Sequence, residues 1–417
     1  MEWFAVILWL SVLVIVSWRT PEYGVYILAA TTPLYLVRLS LVGLPTTLLE
    51  LELLVLAGVV VLKYRYALLG ACRVRTRIEK ALAVSIIAFV ISASVSVVVS
   101  PDMRAALGIW RAYILEPLLF FIIIISVITT PQQIRRMVVV CGIGAVIIAL
   151  VSIAQVLTGY GIPEPWAAER RATSFFPYPN AVGLYLAPLI PLVVALAAGR
   201  GRITQKAALG VVGILLVGIA AAQTTGALVA LAVTGVIGGV LWSKTSRQWV
   251  LRVIVVGALI ATITPVVRDQ LVKKLSFNTW SGTVRQIMWG ETLPMLRDHW
   301  FTGAGLAGYQ KAFEPYHKAK AIEIFLYPHS IVLNFWSELG LYGLISVVFL
   351  VAVYFVLLVF ARSRENRALV YGLGGAMIVI LVHGSVDVPY FKNDLAIMWW
   401  MFFALALILY RQRRAAL

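Results

Sequence analysis

Stretches of about 17 to 25 apolar residues recur from end to end of this 417-residue chain, and nothing else in it constrains the fold as strongly. Each is the length an α-helix needs to cross a hydrocarbon layer about 30 Å thick. A spanning barrel would instead show segments of about ten residues alternating apolar and polar. Only 13% of the residues are charged, against about one quarter in a soluble domain. The sequence therefore predicts an all-α, polytopic integral membrane protein. Its spans read as 3–18, 24–42, 46–62, 81–100, 112–129, 137–158, 181–198, 206–223, 225–242, 249–267, 333–360, 368–386 and 395–410. One of the two short N-terminal segments is assigned to the interface, which leaves about 12 crossings (12–13 in the full range). The first span has no basic leader and no small-residue cleavage site, so it reads as a retained helix.

A net charge of +17 first suggests a nucleic-acid partner. The distribution of that charge argues for no nucleic acid. Of 35 Lys and Arg, 20 fall in short loops at 63–80, 135–136, 200–206, 244–252, 362–367 and 411–414, opposed there only by Glu79 and Glu365. That is the positive-inside pattern, which places these loops and the C-terminus in the cytoplasm. Cys72 and Cys141 make neither a disulfide framework nor a zinc motif.

The opposite face then receives 101–111, 159–180, a joint near Thr224, 268–328 and 385–394. Without a flexible linker or an internal repeat, 1–417 reads as a single membrane domain. Its largest outer loop is 268–328. A loop that long is functional or disordered, and "VRQIMWGETLPMLRDHWF" is too rich in Trp, Met and Leu for disorder. It reads as interfacial helices. Eight basic residues, Arg268, Lys273 and Lys274 among them, face five acidic ones in this loop. A basic outer surface suits a phosphate or pyrophosphate, whose oxygens match the arginine fork. A solvated charged face against lipid headgroups is the plainer alternative.

Four constellations stand out. In "ERRATSFFPYPNAVGLYL", Arg170 and Arg171 precede Ser174, and Asn180 is positioned to cap the following span. Arg285 and Trp289, four apart, share a helical face. Gly303-Ala-Gly305-Leu-Ala-Gly308 matches G-x-G-x-x-G but lacks a preceding strand, so it reads as a turn between interfacial helices. In "YPHSIVLNFWSELGLYGL", His329 sits at the mouth of a span, and Asn334 and Glu338 share a face inside it. Helical geometry puts His329 and Glu338 on opposite faces. Glu338 therefore reads as structural, and His329 as a reactive or substrate-binding group or a satisfied interfacial histidine. Glu50, Glu52, Glu116 and Asp387 are further carboxylates in or beside spans. An ion-coupled transporter would use such groups, but they are scattered, with no matched pair of broken helices. His299, His317 and His329 lack metal-ligand spacing, so no metal is expected.

The order of these motifs resembles the O-antigen ligase and O-antigen polymerase superfamily of bacterial membrane glycosyltransferases. The segments are Arg171, Ser174, Phe175, Pro179, Asn180, Gly183, Tyr185 and Leu186; then Arg285 and Trp289 with a G-x-G turn; then His329, Leu333, Glu338, Gly340, Gly343 and Leu344. The likeness spans about 110–410. It implies a GT-C-like fold with a large periplasmic loop, in the bacterial inner membrane. It also implies an inverting, metal-independent reaction needing no cofactor, at a periplasmic site. The donor would be an undecaprenyl-pyrophosphate-linked glycan, and the acceptor lipid A–core or another glycan. By resemblance Arg285 holds pyrophosphate and Arg171 assists. Arg170, Ser174, Asn180 and Trp289 contact substrate, and Asn334 and Glu338 support the site. His329 acts either as general base or as a phosphate-binding cation. A polymerase or a flippase of lipid-linked saccharide are the alternatives. Thr225 departs from the pattern, standing where S-R-G-A would place an arginine.

Overall fold

The run "LAIMWWMFFALALILY" is apolar on every side, and a helix apolar all round belongs inside a bundle. The computed structural model describes residues 2–41, 43–198, 202–264, 269, 272 and 276–416. In it the Asn393–Ala415 helix is buried continuously from Asp394 to Tyr410. The Glu116–Val127 and Ile331–Ala361 helices pack on this central rod. Arg77–Val99 lies against Ile331–Ala361, while Arg367–Gly384 is sandwiched by Leu189–Ala197 and Thr225–Trp242. Lipid tails are as apolar as leucine, so the packing of such helices rests on close side-chain contact. Phe89, Phe335 and Tyr390 supply it, with ring centroids 5.1 to 6.4 Å apart.

Nine helices among the described residues are long and apolar enough to cross a membrane. There are ten if Leu48–Lys63 and Arg65–Ala71, bent by 98°, form one broken span. All nine coincide with spans expected from the sequence, whereas the expected total of about 12 is not reached. The difference arises mainly near the N-terminus. The expected 24–42 span is a ten-residue helix, Pro21–Ala30, about 15 Å long and too short to cross. Thr32 precedes Pro33, a position that disfavours the α conformation, and the chain goes on into an antiparallel hairpin. Arg38–Leu41 pairs with Leu44–Thr47, Arg38 opposite Thr47, and Gly43 supplies a turn residue at φ +79°. Lys244–Ile263 is helical, but the described helix begins with Lys244, Arg247 and Arg252 and is not among the nine.

Two of the basic segments, 63–80 and 411–414, meet at one end of the bundle. Arg411 pairs with Glu79 at 3.0 Å and donates to the Ala71 carbonyl at 2.7 Å, while Gln412 reaches the carbonyl of Thr129 at 2.6 Å. At the other end, the Ile331–Ala361 helix is broken at Gly340, with φ 72° and ψ 179°. The break frees backbone groups for the glycine-rich turn. Ala304 N–H donates to the Ser337 carbonyl at 2.6 Å, and Leu341 N–H to that of Trp300 at 3.1 Å. Gly303 and Gly305 are left-handed there, as a turn requires.

Within the long loop the described part has a small core of its own. Trp280–Asp298 and Tyr309–Phe313 bury Val284, Met288, Met295, Leu296, Tyr309 and Phe313 together. Arg268, Lys273 and Lys274 lie outside the described residues.

Candidate active site

Asp387 lies in the short segment between Arg367–Gly384 and Asn393–Ala415, 3% exposed, and three parts of the chain converge on it. The Asn180 amide donates to its Oδ2 at 2.8 Å. His329 approaches its Oδ1 through Nδ1 at 3.4 Å, and Val388 N–H donates to the same oxygen at 2.9 Å. Arg285 stands over the segment, its Nε donating to the Val386 carbonyl at 2.8 Å. Burial alone would push the Asp387 carboxyl up; His329, His383 and Arg285 outweigh it and hold the group below the usual carboxylate range. Burial likewise draws Arg285 below its ordinary value, with Asp387 working in the opposite direction.

The local structure explains how these groups are aimed. Thr279 caps the Trp280–Asp298 helix by accepting from Gly282 N–H at 3.2 Å. One turn apart, Arg285 reaches Val386, and Trp289 Nε1 donates to the Pro328 carbonyl at 2.8 Å. That bond holds the residue before His329, whose backbone is left-handed at φ 45°. Such a conformation is uncommon outside glycine and is found where surrounding structure enforces it. His329 is therefore outside the helix that follows, and its strained backbone rather than the helical turn directs the ring. Phe325 and Tyr327 meet that ring edge-on, at 5.3 and 6.1 Å. A carboxylate can only accept, so Asp387 assigns the proton of His329 to Nδ1 and leaves Nε2 as the free nitrogen.

The structure redistributes several expected roles. Asn180 is not the helix cap: Tyr178 occupies that position, and the Asn180 side chain serves Asp387. Ser174 is buried with its hydroxyl on the Ile148 carbonyl at 3.0 Å and its N–H on Gln155 at 2.8 Å, apart from the Asp387 group. Arg171 lies over Trp166 at 5.0 Å and 3.8 Å from Glu169. Arg170 follows Glu169 with φ 48°, and the Ala172–Ala221 backbone bond of 3.0 Å ties this loop to the end of Arg202–Ala221. Glu338 accepts from Ala307 N–H at 2.8 Å, tying the kinked helix to the glycine-rich turn, whereas the buried Asn334 amide has no partner among the described residues. Thr225 opens the Thr225–Trp242 helix, beside the point where Gly226 abuts His383.

Other buried carboxylates are committed elsewhere. Arg111 pairs with Glu50 at 3.0 Å and Glu116 at 3.4 Å, and Glu52 accepts from Trp9 and Thr31 at 2.6 and 2.9 Å.

Residues 210–348 match the family model described as O-antigen ligase. The match covers about a third of the 417-residue chain, and over that segment the chain is similar to the O-antigen ligase family. None of the curated proteins searched matches it significantly. The O-antigen ligase segment contains Arg285, Trp289, His329 and Glu338 but neither Asn180 nor Asp387. Half of the site therefore lies outside the matched segment. Asp387, which joins the two halves, has only a faint sequence signal: "DVPYFKND" places three charges between two apolar spans. Ionisable groups so placed are costly and point to function.

Proposed function

We propose that this protein is an O-antigen ligase-type glycosyltransferase of the bacterial inner membrane. It moves a glycan from undecaprenyl pyrophosphate to a sugar hydroxyl of lipid A–core on the periplasmic face. The observation that carries this reading is the convergence of His329, Arg285 and Asn180 on Asp387. His329 is the general base: Nε2 takes the proton of the acceptor hydroxyl as its oxygen attacks the anomeric carbon. Asp387 orients the ring and stabilises the imidazolium that forms. The bond between the anomeric carbon and the pyrophosphate oxygen breaks in the same displacement, which inverts the configuration. The pyrophosphate leaves with growing negative charge, and Arg285 stabilises that charge more in the transition state than in the ground state.

A polymerase extending the glycan on its own carrier would use the same donor chemistry, and Thr225 in place of the family arginine favours weighing it. The test uses purified protein in nanodiscs with carrier-linked glycan and lipid A–core. Arg285→Ala and His329→Ala should each lower transfer by about 10²- to 10³-fold, with membrane insertion unchanged. Normal transfer by Arg285→Ala protein would overturn the site assignment.

A further inference from the structure

Lys392, two residues before Asp394 and five after Asp387, is 8% exposed, and its ammonium has no hydrogen-bond partner among the described residues. Three aromatic faces surround it, with Nζ 4.5 Å from the ring centre of Phe176, 5.2 Å from Tyr178 and 5.5 Å from Tyr35. Ring faces attract a cation, but they leave its three N–H donors unsatisfied. Among the described residues no carboxylate forms an ion pair with it; Asp394 and Asp387 act on it only from farther away. Burial draws the lysine below its ordinary value, against which those two carboxylates work. A buried cation is ordinarily paired, and here Asp394, close in sequence, leaves its own Oδ2 unpartnered instead. The Tyr35 hydroxyl likewise has no partner among the described residues.

The cage adjoins the site already described. Phe176 and Tyr178 belong to the segment that delivers Asn180 to Asp387. Tyr327, two residues before His329, lies within electrostatic reach of Tyr178, Asp387 and Asp394. Arg285 commits Nε and Nη1 to backbone carbonyls, so it is an incomplete counter-charge for two phosphates. Asp387 and Asp394 would moreover repel an anion unless another cation stood near.

We propose that Lys392 is a phosphate-binding residue that, with the Tyr35 hydroxyl, holds one phosphate of a prenyl pyrophosphate beside His329. A tetrahedral anion can accept from the ammonium and the phenol together, which satisfies both orphan donors. This inference rests on the ligase reading for the identity of the lipid; the headgroup of an anionic phospholipid offers the same phosphate chemistry.

The experiment compares wild-type protein with Lys392→Met in phosphatidylcholine nanodiscs, titrated with undecaprenyl pyrophosphate and, separately, with phosphatidylglycerol included in the disc. The expected result is binding of undecaprenyl pyrophosphate weakened at least tenfold, with the donor KM raised more than kcat is lowered. The thermal midpoint should be unchanged or higher, because an unpaired buried charge has been removed; a packing role for the lysine would lower it. Lys392→Arg should restore part of the binding, and Lys392→Gln gives the same reading should Met disturb the cage. Wild-type affinity for undecaprenyl pyrophosphate in both neutral variants overturns the proposal, as does a loss confined to phosphatidylglycerol. Wild-type protein that binds the pyrophosphate through Lys392 yet transfers no glycan overturns the ligase reading alone. Wild-type protein that transfers glycan, with Lys392→Met indistinguishable from it, overturns this inference alone.

Discussion

Asp387 shows how one buried residue organises groups that the chain order keeps far apart. Its two oxygens receive Asn180, His329 and the Val388 backbone. Asp387→Asn preserves the volume but removes the negative charge that faces His329 and Arg285. Transfer should fall by about 10²-fold or more, and stability by about 1–3 kcal/mol, read from initial rates and from thermal unfolding in detergent. The folded-state value of Asp387 is depressed, so its contribution to stability is fully present above the ordinary carboxylate range and is lost as pH falls through the depressed value. The difference in unfolding midpoint between wild type and Asp387→Asn should therefore be flat from about pH 5 to 8 and shrink toward about pH 3. A difference that instead widened on acidification would contradict an ionised Asp387. At this scale His329 and Arg285 stand out in the sequence as members of the candidate site, because a histidine at a span mouth and a long loop rich in Lys and Arg are local signals. Asp387 was visible only as one carboxylate among several, since nothing local distinguishes it from Glu50 or Glu116, which pair with Arg111.

Among the elements, the broken helix Ile331–Ala361 does most to place the site. Its N-terminal end follows the His329 junction, and its break receives the glycine-rich turn. A Cβ on Gly340 would overlap the Phe301 carbonyl, and its φ and ψ lie in a region essentially confined to glycine. Gly340→Ala should cost at least about 1–3 kcal/mol from backbone strain alone. Glycan transfer should drop with it although every polar group of the site remains; a variant with unchanged midpoint and unchanged transfer would show that the break is dispensable. The hydropathy of this segment reads as one uninterrupted span, because the residues flanking Gly340 are apolar either way. What a glycine does inside such a run depends on what approaches it. Here the approach comes from Phe301 and Thr302, more than thirty residues earlier.

Across the whole molecule, the products separate the two related activities. A deletion strain should make lipopolysaccharide without O-antigen and accumulate long carrier-linked glycan; single-repeat glycan instead would identify a polymerase. The positions of the nine spanning helices among the described residues followed from the sequence alone, though not the expected total of about 12, because membrane helices satisfy their backbone hydrogen bonds locally and declare themselves by length and apolarity. Residues 24–42 misled for the same reason: apolar content does not report the Thr-Pro step that ends the helix or the hairpin that follows. The likeness to the O-antigen ligase family over 210–348 is likewise a property of the sequence alone. Only the tertiary structure decided that Asn180, His329 and Asp387 meet and that Lys392 is caged without a partner among the described residues. Those contacts join segments as much as 207 positions apart, and helix packing sets them rather than any local pattern.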